Sequence, residues 1–238
     1  MLYELYKTNK IGKDYCVGDL HGNYVALYKM LDNVGFDYSK DRLFCVGDLT
    51  DRGINSPDVL ELLKQEWFYT VRGNHEEIII KHGLKTYDEC YPDGKINKDG
   101  NQWFFKESNE KRKEIIKKFK ELPYAIQVGD VGLVHAYPLE DWKMTLKSIK
   151  YQNEKDLGSI VWNRTAAKAV QNGEKIKPIT GIDTVIVGHH IFETPERHAN
   201  VIFLDTGYFC GGSLSLINLE TLEVVSRYFN KSNEIWTL

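Results

Sequence analysis

Three clusters of Asp, His and Asn lie in the first third of the sequence, and each follows a short run of β-prone residues. The clusters span residues 18–22 (GDLHG), 47–53 (GDLTDRG) and 73–76 (GNHE). Carboxylate, amide and imidazole donors together suit Mn, Fe or Zn ions rather than a thiolate site. The neighbouring glycines let the backbone turn sharply and approach a bound ion or phosphate closely. The pattern therefore predicts a metal site.

The elements that would position these clusters alternate in type. Strands are predicted at residues 14–17, 42–46 and 67–71, with helical patterns at 25–31 and 57–63 between them. Strands that alternate with helices indicate βαβ units and a largely parallel sheet. Ligands bind at the carboxyl ends of such strands, so we expect the polar side chains of the three clusters to converge on one point.

The remaining sequence is more β-rich. A helix is predicted from about residue 75 to 81, a loop over 85–100 and a charge-dense surface helix over 106–122. Further strands are predicted at 125–128, 132–135, 184–187, 201–204, 213–218 and 222–228, with tight hairpins at 129–130 and 220–221. Because no shift in composition separates two halves, residues 1–238 are predicted to form a single domain.

The composition restricts the class of protein. Lys and Arg number 31 against 34 Asp and Glu, a net charge of −3 that provides no basic footprint for nucleic acid. With 42% hydrophobic and 27% charged residues, the chain is typical of a globular protein, and no apolar run is long enough to span a bilayer. The four cysteines form no CxxC pair, and Cys16 and Cys45 are predicted to be buried strand residues. A reducing, cytoplasmic location is expected.

Together the three clusters resemble the GDxHG, GDxxDRG and GNHE signatures of the metal-dependent phosphoprotein phosphatases, within the calcineurin-like metallophosphoesterases. The resemblance continues at residues 134–136 (VHA), 161–164 (VWNR), 188–189 (GH) and 205–207 (DTG), and thus covers almost the whole chain. Within that family, the resemblance is greatest to the compact bacterial and phage-type branch. The implied fold is α/β, a β-sandwich of two mixed sheets flanked by helices, with a dimetal site at the carboxyl ends of the strands.

The resemblance implies two divalent ions, with Mn²⁺ favoured and Fe, Zn or Ni as alternatives. The implied ligands are Asp19 and His21 for the first ion, Asp48 as a bridge, and Asn74, His135 and His189 for the second ion. Because His190 follows His189 directly, the residues alone leave open which imidazole faces the metal, and the family pattern favours His189.

The resemblance also implies four catalytic residues. His75 would be the general acid, oriented by Asp51, since a serine or threonine alkoxide is a poor leaving group. Arg52 and Arg164 would hold the phosphate oxygens, which suit a planar guanidinium. Two ions about 3.5–4 Å apart would hold a bridging hydroxide that attacks the phosphorus directly.

The implied enzyme is a protein serine/threonine phosphatase, with phosphotyrosine left open as a further substrate. Its partners would be phosphoproteins or phosphopeptides, with no nucleic acid, membrane or obligatory regulatory subunit, and its location the cytoplasm, of the host if the chain is phage-encoded. The alternative is a nucleotide phosphohydrolase, such as a dinucleoside-polyphosphate hydrolase, on the same dimetal site. A non-catalytic descendant is disfavoured because every expected ligand, the acid and both arginines are present. A nucleic-acid-binding protein is disfavoured by the net charge.

Overall fold

The strands of the protein form two sheets, which the computed structural model describes over residues 2–92 and 98–229. The strands are β1 (Tyr3–Tyr6), β2 (Asp14–Val17), β3 (Arg42–Cys45), β4 (Phe68–Thr70), β5 (Ala125–Val128), β6 (Val131–Val134), β7 (Thr184–Val187), β8 (Glu196–His198), β9 (Val201–Phe203), β10 (Leu214–Asn218) and β11 (Val224–Arg227). One sheet has the order β11-β10-β2-β3-β4, and the other has the order β1-β5-β6-β7-β9-β8.

Both sheets are mixed. In the first sheet β2, β3 and β4 run parallel, whereas β10 is antiparallel to both β2 and β11. In the second sheet β6, β7 and β9 run parallel, as do β1 and β5, and the pairs β5–β6 and β8–β9 are antiparallel. The hairpins predicted at 129–130 and 220–221 are therefore confirmed, as they connect β5 to β6 and β10 to β11.

Helices cover the outer face of each sheet. They are α1 (Tyr24–Asn33), α2 (Val59–Leu63), α3 (Asn74–His82), α4 (Tyr87–Cys90), α5 (Gln102–Lys106), α6 (Asn109–Glu121), α7 (Trp142–Lys150), α8 (Glu154–Trp162) and α9 (Thr165–Gln171). Apolar residues of α1, α2, α3, α5 and α6 pack on the first sheet, and those of α7, α8 and α9 pack on the second. None of the helices described here has the length and apolar character needed to cross a bilayer.

The inner faces of the two sheets share one apolar layer. Phe44 from the first sheet packs in the same cluster as Leu133 and Ile202 from the second. Successive side chains of a strand point to opposite faces of its sheet. Alternate strand residues therefore lie in this inner layer, and the others pack against the helices. Cys16 faces the inner layer and Cys45 the helical side, and both are fully buried as predicted.

Two of the predicted segments are wrong in part. Residues 142–171 form α7, α8 and α9 instead of continuing a β-rich pattern, and α4 lies within the predicted loop 85–100. Capping residues start two of these helices: the side chains of Asp141 and Asn153 accept the backbone N–H groups of Met144 and Asp156 at 2.9 and 3.2 Å. The helix predicted over 106–122 begins only at Asn109, and strands β1 and β8 were not predicted.

Candidate active site

Six parallel strands deliver polar loops to one edge of the sandwich. The loops that follow β2, β3 and β4 meet those that follow β6, β7 and β9. The backbone N–H of His189 lies 3.1 Å from a carboxylate oxygen of Asp19, so loops of the two sheets are in direct contact. Eight of the ten predicted site residues line one cavity of about 260 Å³, namely Asp19, His21, Asp48, Arg52, Asn74, His75, Arg164 and His189. The other two, Asp51 and His135, are fully buried next to His75 and Asn74.

Asp48 lies at the centre of the cluster. Its Oδ2 is 3.7 Å from His21 Nε2 and 3.9 Å from His75 Nε2, and its Oδ1 is 3.4 Å from His135 Nε2. Two groups of possible ligand atoms, each within 4.8 Å, share this carboxylate: one adds His21 and His75, and the other adds His135 and His189. Asp48 is thus the carboxylate common to both groups, and the first group contains His75 where the prediction has Asp19.

Backbone carbonyls orient two of the imidazoles. His21 Nδ1 is 3.0 Å from the Thr50 carbonyl, and His135 Nδ1 is 2.7 Å from the Val46 carbonyl. Each Nδ1–H therefore donates to a carbonyl and turns the unprotonated Nε2 toward the cluster, the arrangement typical of metal-binding histidines. Because their Nε2 atoms face the Asp48 carboxylate in this way, the buried imidazoles fit a pair of divalent ions.

Asp19 and Asn74 flank the two imidazole groups. Both oxygens of Asp19 lie 3.1–3.2 Å from the His189 N–H, and Asn74 Oδ1 is 2.8 Å from His135 Nε2. Burial and the nearby Asp205 and Asp48 carboxylates raise the pKa of Asp19 well above its usual range. Such mutual repulsion between buried carboxylates is relieved by a cation.

The pKa values of the buried histidines shift in both directions. Burial lowers the pKa of His21 to about 3 and that of His189 to about 3, so both are neutral at pH 7, as metal ligands must be. For His75, burial works in the same direction, but the Asp48 and Asp51 carboxylates outweigh it and raise the pKa to about 9. The raised pKa favours the protonated form of His75 at pH 7. Against burial, Asp48 likewise raises the pKa of His135, a predicted ligand, so the direction of these shifts does not by itself distinguish the ligands from the acid.

A buried chain of hydrogen bonds fixes the ring of His75. His75 Nδ1 is 2.6 Å from Asp51 Oδ2, and the indole N–H of Trp103 donates to the other oxygen of Asp51 at 2.7 Å. With Nδ1 engaged, Nε2 of His75 is the atom that faces the cavity, where Arg52 NH2 lies 3.2 Å from it. Asp51 was predicted to orient His75, whereas Trp103 lies outside every motif and carries no sequence signal of its role.

Both predicted phosphate-binding arginines are exposed at the mouth of the cavity. Arg52 lies with its NH1 3.1 Å from His21 Nε2, and its guanidinium is 4.0 Å from the ring centre of Phe209. From the other side, Arg164 donates its Nε–H to His189 Nε2 at 2.9 Å. Phe209 was not predicted; it follows the DTG motif, and its ring holds one face of the arginine.

Glu76, the last residue of the third cluster, connects two of the loops. Its carboxylate accepts the backbone N–H groups of Asp48 at 3.0 Å, Leu49 at 2.9 Å and Gly73 at 2.8 Å. The same side chain therefore holds the loop of Asp48 and the beginning of α3, which carries Asn74 and His75. Glu76 was not among the predicted site residues, although the GNHE motif contains it.

The backbone around the cavity is unusual at five non-glycine positions. Positive φ angles occur at His21 (44°), Asp48 (51°), Asp51 (75°), Arg52 (68°) and His189 (67°). Such angles are uncommon outside glycine, and their clustering at one edge is typical of functional sites.

The two consecutive histidines have different surroundings. His189 is 6% exposed and groups with Asp48 and His135, whereas His190 is half-buried with its Nε2 2.8 Å from Gln171 Oε1. The geometry therefore places His189, the residue favoured by the family pattern, beside Asp48.

Residues 15–203 match the calcineurin-like phosphoesterase family, and the chain belongs to this family of hydrolases. Among its relatives, serine/threonine-protein phosphatase 2 of Escherichia coli (strain K12) is 32% identical over 214 residues, which cover 87% of this chain and 92% of that protein. The bis(5'-nucleosyl)-tetraphosphatase PrpE (asymmetrical) of Halalkalibacterium halodurans is 26% identical over 245 residues, with 88% and 91% covered.

Solved structures show the same fold. A putative diadenosine tetraphosphatase superposes with a TM-score of 0.67 at 24% identity, covering 95% of this chain and 98% of that one. A protein serine/threonine phosphatase from Saccharomyces cerevisiae also gives 0.67, at 16% identity and with 98% and 85% covered. The predicted family, the sandwich of two mixed sheets and the phosphoesterase class of enzyme are confirmed.

Proposed function

We propose that this chain hydrolyses phosphoserine and phosphothreonine monoesters in proteins. The observation that carries the proposal is the cavity itself, with two exposed arginines at its mouth and a carboxylate shared between imidazole groups at its base. The serine/threonine phosphatase of Escherichia coli, at 32% identity, supports this substrate class over the tetraphosphatase at 26%.

Two divalent ions would be held by the predicted ligands. The first position would use Asp19, His21 and Asp48, and the second would use Asp48, Asn74, His135 and His189. When bound, such a pair supplies positive charge that activates water and neutralises the phosphate. We propose Mn²⁺ as the native metal, because the donor set contains oxygen and imidazole nitrogen and no thiolate.

The protein side chains would divide the remaining work. The exposed guanidinium groups of Arg52 and Arg164 would donate charge-assisted hydrogen bonds to the phosphate oxygens and orient the ester. His75, protonated and held by Asp51, would give the proton on Nε2 to the departing serine or threonine oxygen. The resulting neutral imidazole would recover a proton from water after the alcohol leaves.

Partners and location are part of the same proposal. All the groups named above come from this chain, which supports activity without an obligatory regulatory subunit. A cytoplasmic location is supported by the four cysteines, all of which are free thiols.

A dinucleoside polyphosphate is the second candidate substrate, because tetraphosphatases are among the relatives. The test compares kcat/KM of the Mn²⁺-loaded protein on phosphoserine, phosphothreonine and phosphotyrosine peptides with that on diadenosine tetraphosphate. The proposal expects the phosphoserine and phosphothreonine peptides to be preferred. A higher kcat/KM on diadenosine tetraphosphate would assign the chain to the second candidate instead.

A further inference from the structure

Asp205 is a buried carboxylate at the cavity to which neither the sequence motifs nor the proposed reaction assigns a role. It follows β9 and begins the DTG segment, and its side chain is only 2% exposed. It lines the same cavity as Asp19 and His21. Its backbone is next to that of Gly18, which precedes Asp19, since a Cβ added at Gly18 would lie 3.3 Å from the Cα of Asp205.

The partners of Asp205 leave its charge unbalanced. Oδ1 accepts the backbone N–H of Gly207 at 2.9 Å, and the described residues provide this carboxylate with no further hydrogen bond and no ion pair within 4.0 Å. Asp19, its neighbour, is likewise without an ion pair in that part of the chain. Two adjacent buried carboxylates repel each other, and an isolated buried charge is costly unless a cation balances it.

The hydrogen bond to Gly207 does not explain why the residue is acidic. An amide or hydroxyl oxygen accepts a backbone N–H as well as a carboxylate oxygen does. The negative charge is therefore the property of Asp205 that needs a function, and the cavity beside Asp19 is where that charge acts.

We propose that Asp205 is a further acidic group of the first cation position, where its negative charge strengthens the binding of a divalent ion beside Asp19 and His21. The inference rests on the proposed two-ion site and adds to it a carboxylate outside the six predicted ligands. Groups that surround metal ligands change metal affinity by about 10–100-fold, which sets the size of the expected effect.

The test uses two variants that keep a hydrogen-bond acceptor for Gly207 and lose the charge, Asp205→Asn and Asp205→Ser. Asp41→Asn is the matched control, because Asp41 is also buried and accepts backbone N–H groups, from Lys13 at 2.7 Å and Asp37 at 3.0 Å. Asp41 precedes β3 and so lies at the opposite end of the sheet. Each full-length protein is stripped with chelator and titrated with MnCl₂ by calorimetry, and its Tm is measured without metal.

The expected result is that both Asp205 variants bind one Mn²⁺ about tenfold or more weakly and bind the second as the wild type does. Without metal their Tm should equal or exceed that of the wild type, because an unbalanced buried charge has been removed. Asp41→Asn is expected to bind both ions normally. Wild-type Mn²⁺ affinity at both positions in either folded Asp205 variant would overturn the inference while leaving the two-ion site intact. A wild-type protein that binds no Mn²⁺ would instead overturn the two-ion site, and the inference with it.

Discussion

The sheet formed by β2, β3 and β4 has buried aspartates at both ends, and the two ends use them differently. At the amino end, both oxygens of Asp14 accept hydrogen bonds from Arg42, from Nε at 2.7 Å and NH2 at 2.9 Å. At the carboxyl end, Asp19 has only a backbone N–H as its described partner and lies beside a second carboxylate, Asp205.

This difference separates stability from binding. Asp14 contributes to stability because its charge is balanced within the chain. Asp19 and its neighbours keep an excess of negative charge in a buried place, which is unfavourable to folding and favourable to binding a cation. Substitutions at the amino end should therefore lower stability and leave activity unchanged, whereas substitutions at the carboxyl end should lower activity without lowering stability.

The largest expected effect is that of Asp48→Asn at the carboxyl end. The change removes one negative charge from the point shared by both groups of ligands, so bound metal and turnover should both be lost. Elemental analysis and kcat on a phosphopeptide measure the two losses. Wild-type kcat with two bound ions in this variant would remove Asp48 from the bridging position.

The second effect, from His75→Asn, should separate the acid from the ligands. Loss of a general acid lowers kcat by about 10²–10⁴-fold, whereas metal content should stay at the wild-type level. If elemental analysis showed that His75→Asn loses as much metal as Asp48→Asn, His75 would be a ligand and the proposed division of roles would be wrong.

The third effect concerns Arg164 at the mouth of the cavity. Removal of one preorganised donor to the phosphate lowers kcat by about 10²–10³-fold, so Arg164→Ala should fall at the low end of that range. Arg164→Lys should be nearly as impaired, since lysine keeps the charge but loses the planar pair of donors. Steady-state kinetics on a phosphopeptide, with Tm as the control, tests this; unchanged kcat/KM in Arg164→Ala would exclude a role in phosphate binding.

The smallest effect on activity is expected at the amino end. Asp14→Asn should lower the free energy of unfolding by about 1–3 kcal/mol, because it leaves the buried part of Arg42 with a weaker partner. Its kcat/KM should equal that of the wild type. Urea unfolding of metal-free protein measures the stability, and a loss of activity without a loss of stability would contradict the contrast between the two ends.

Local sequence was sufficient to predict the carboxyl end in detail. Turn glycines, short β-prone runs and clustered polar residues identify β2, β3 and β4 to within two residues, because each of these signals is contained in a few consecutive positions. The convergence of the three loops then follows from the parallel order of the strands.

Long-range contacts were not predictable in the same way. Trp103 contacts Asp51 from 52 positions away, and no motif around the tryptophan indicates its role. Phe209 contacts Arg52 from the loop that follows β9 in the other sheet. Asp205 was part of a recognised segment, but its position beside Asp19 depends on how the two sheets pack. Helices α7 and α8 had usable signals in their capping residues, Asp141 and Asn153, which the β-rich surroundings obscured.

The positive φ angles around the cavity also limit which sequences this fold can tolerate. Residues with a Cβ in the left-handed region lose about 1–2 kcal/mol, Asn and Asp are tolerated best after glycine, and β-branched residues are the least suited. Asp48 and Asp51 are thus acceptable to the backbone as well as useful to the chemistry. A library randomised at these two positions and selected for folding alone should retain Asp, Asn and Gly and lose Val, Ile and Thr, so that a preference for aspartate would persist in proteins with no catalytic requirement.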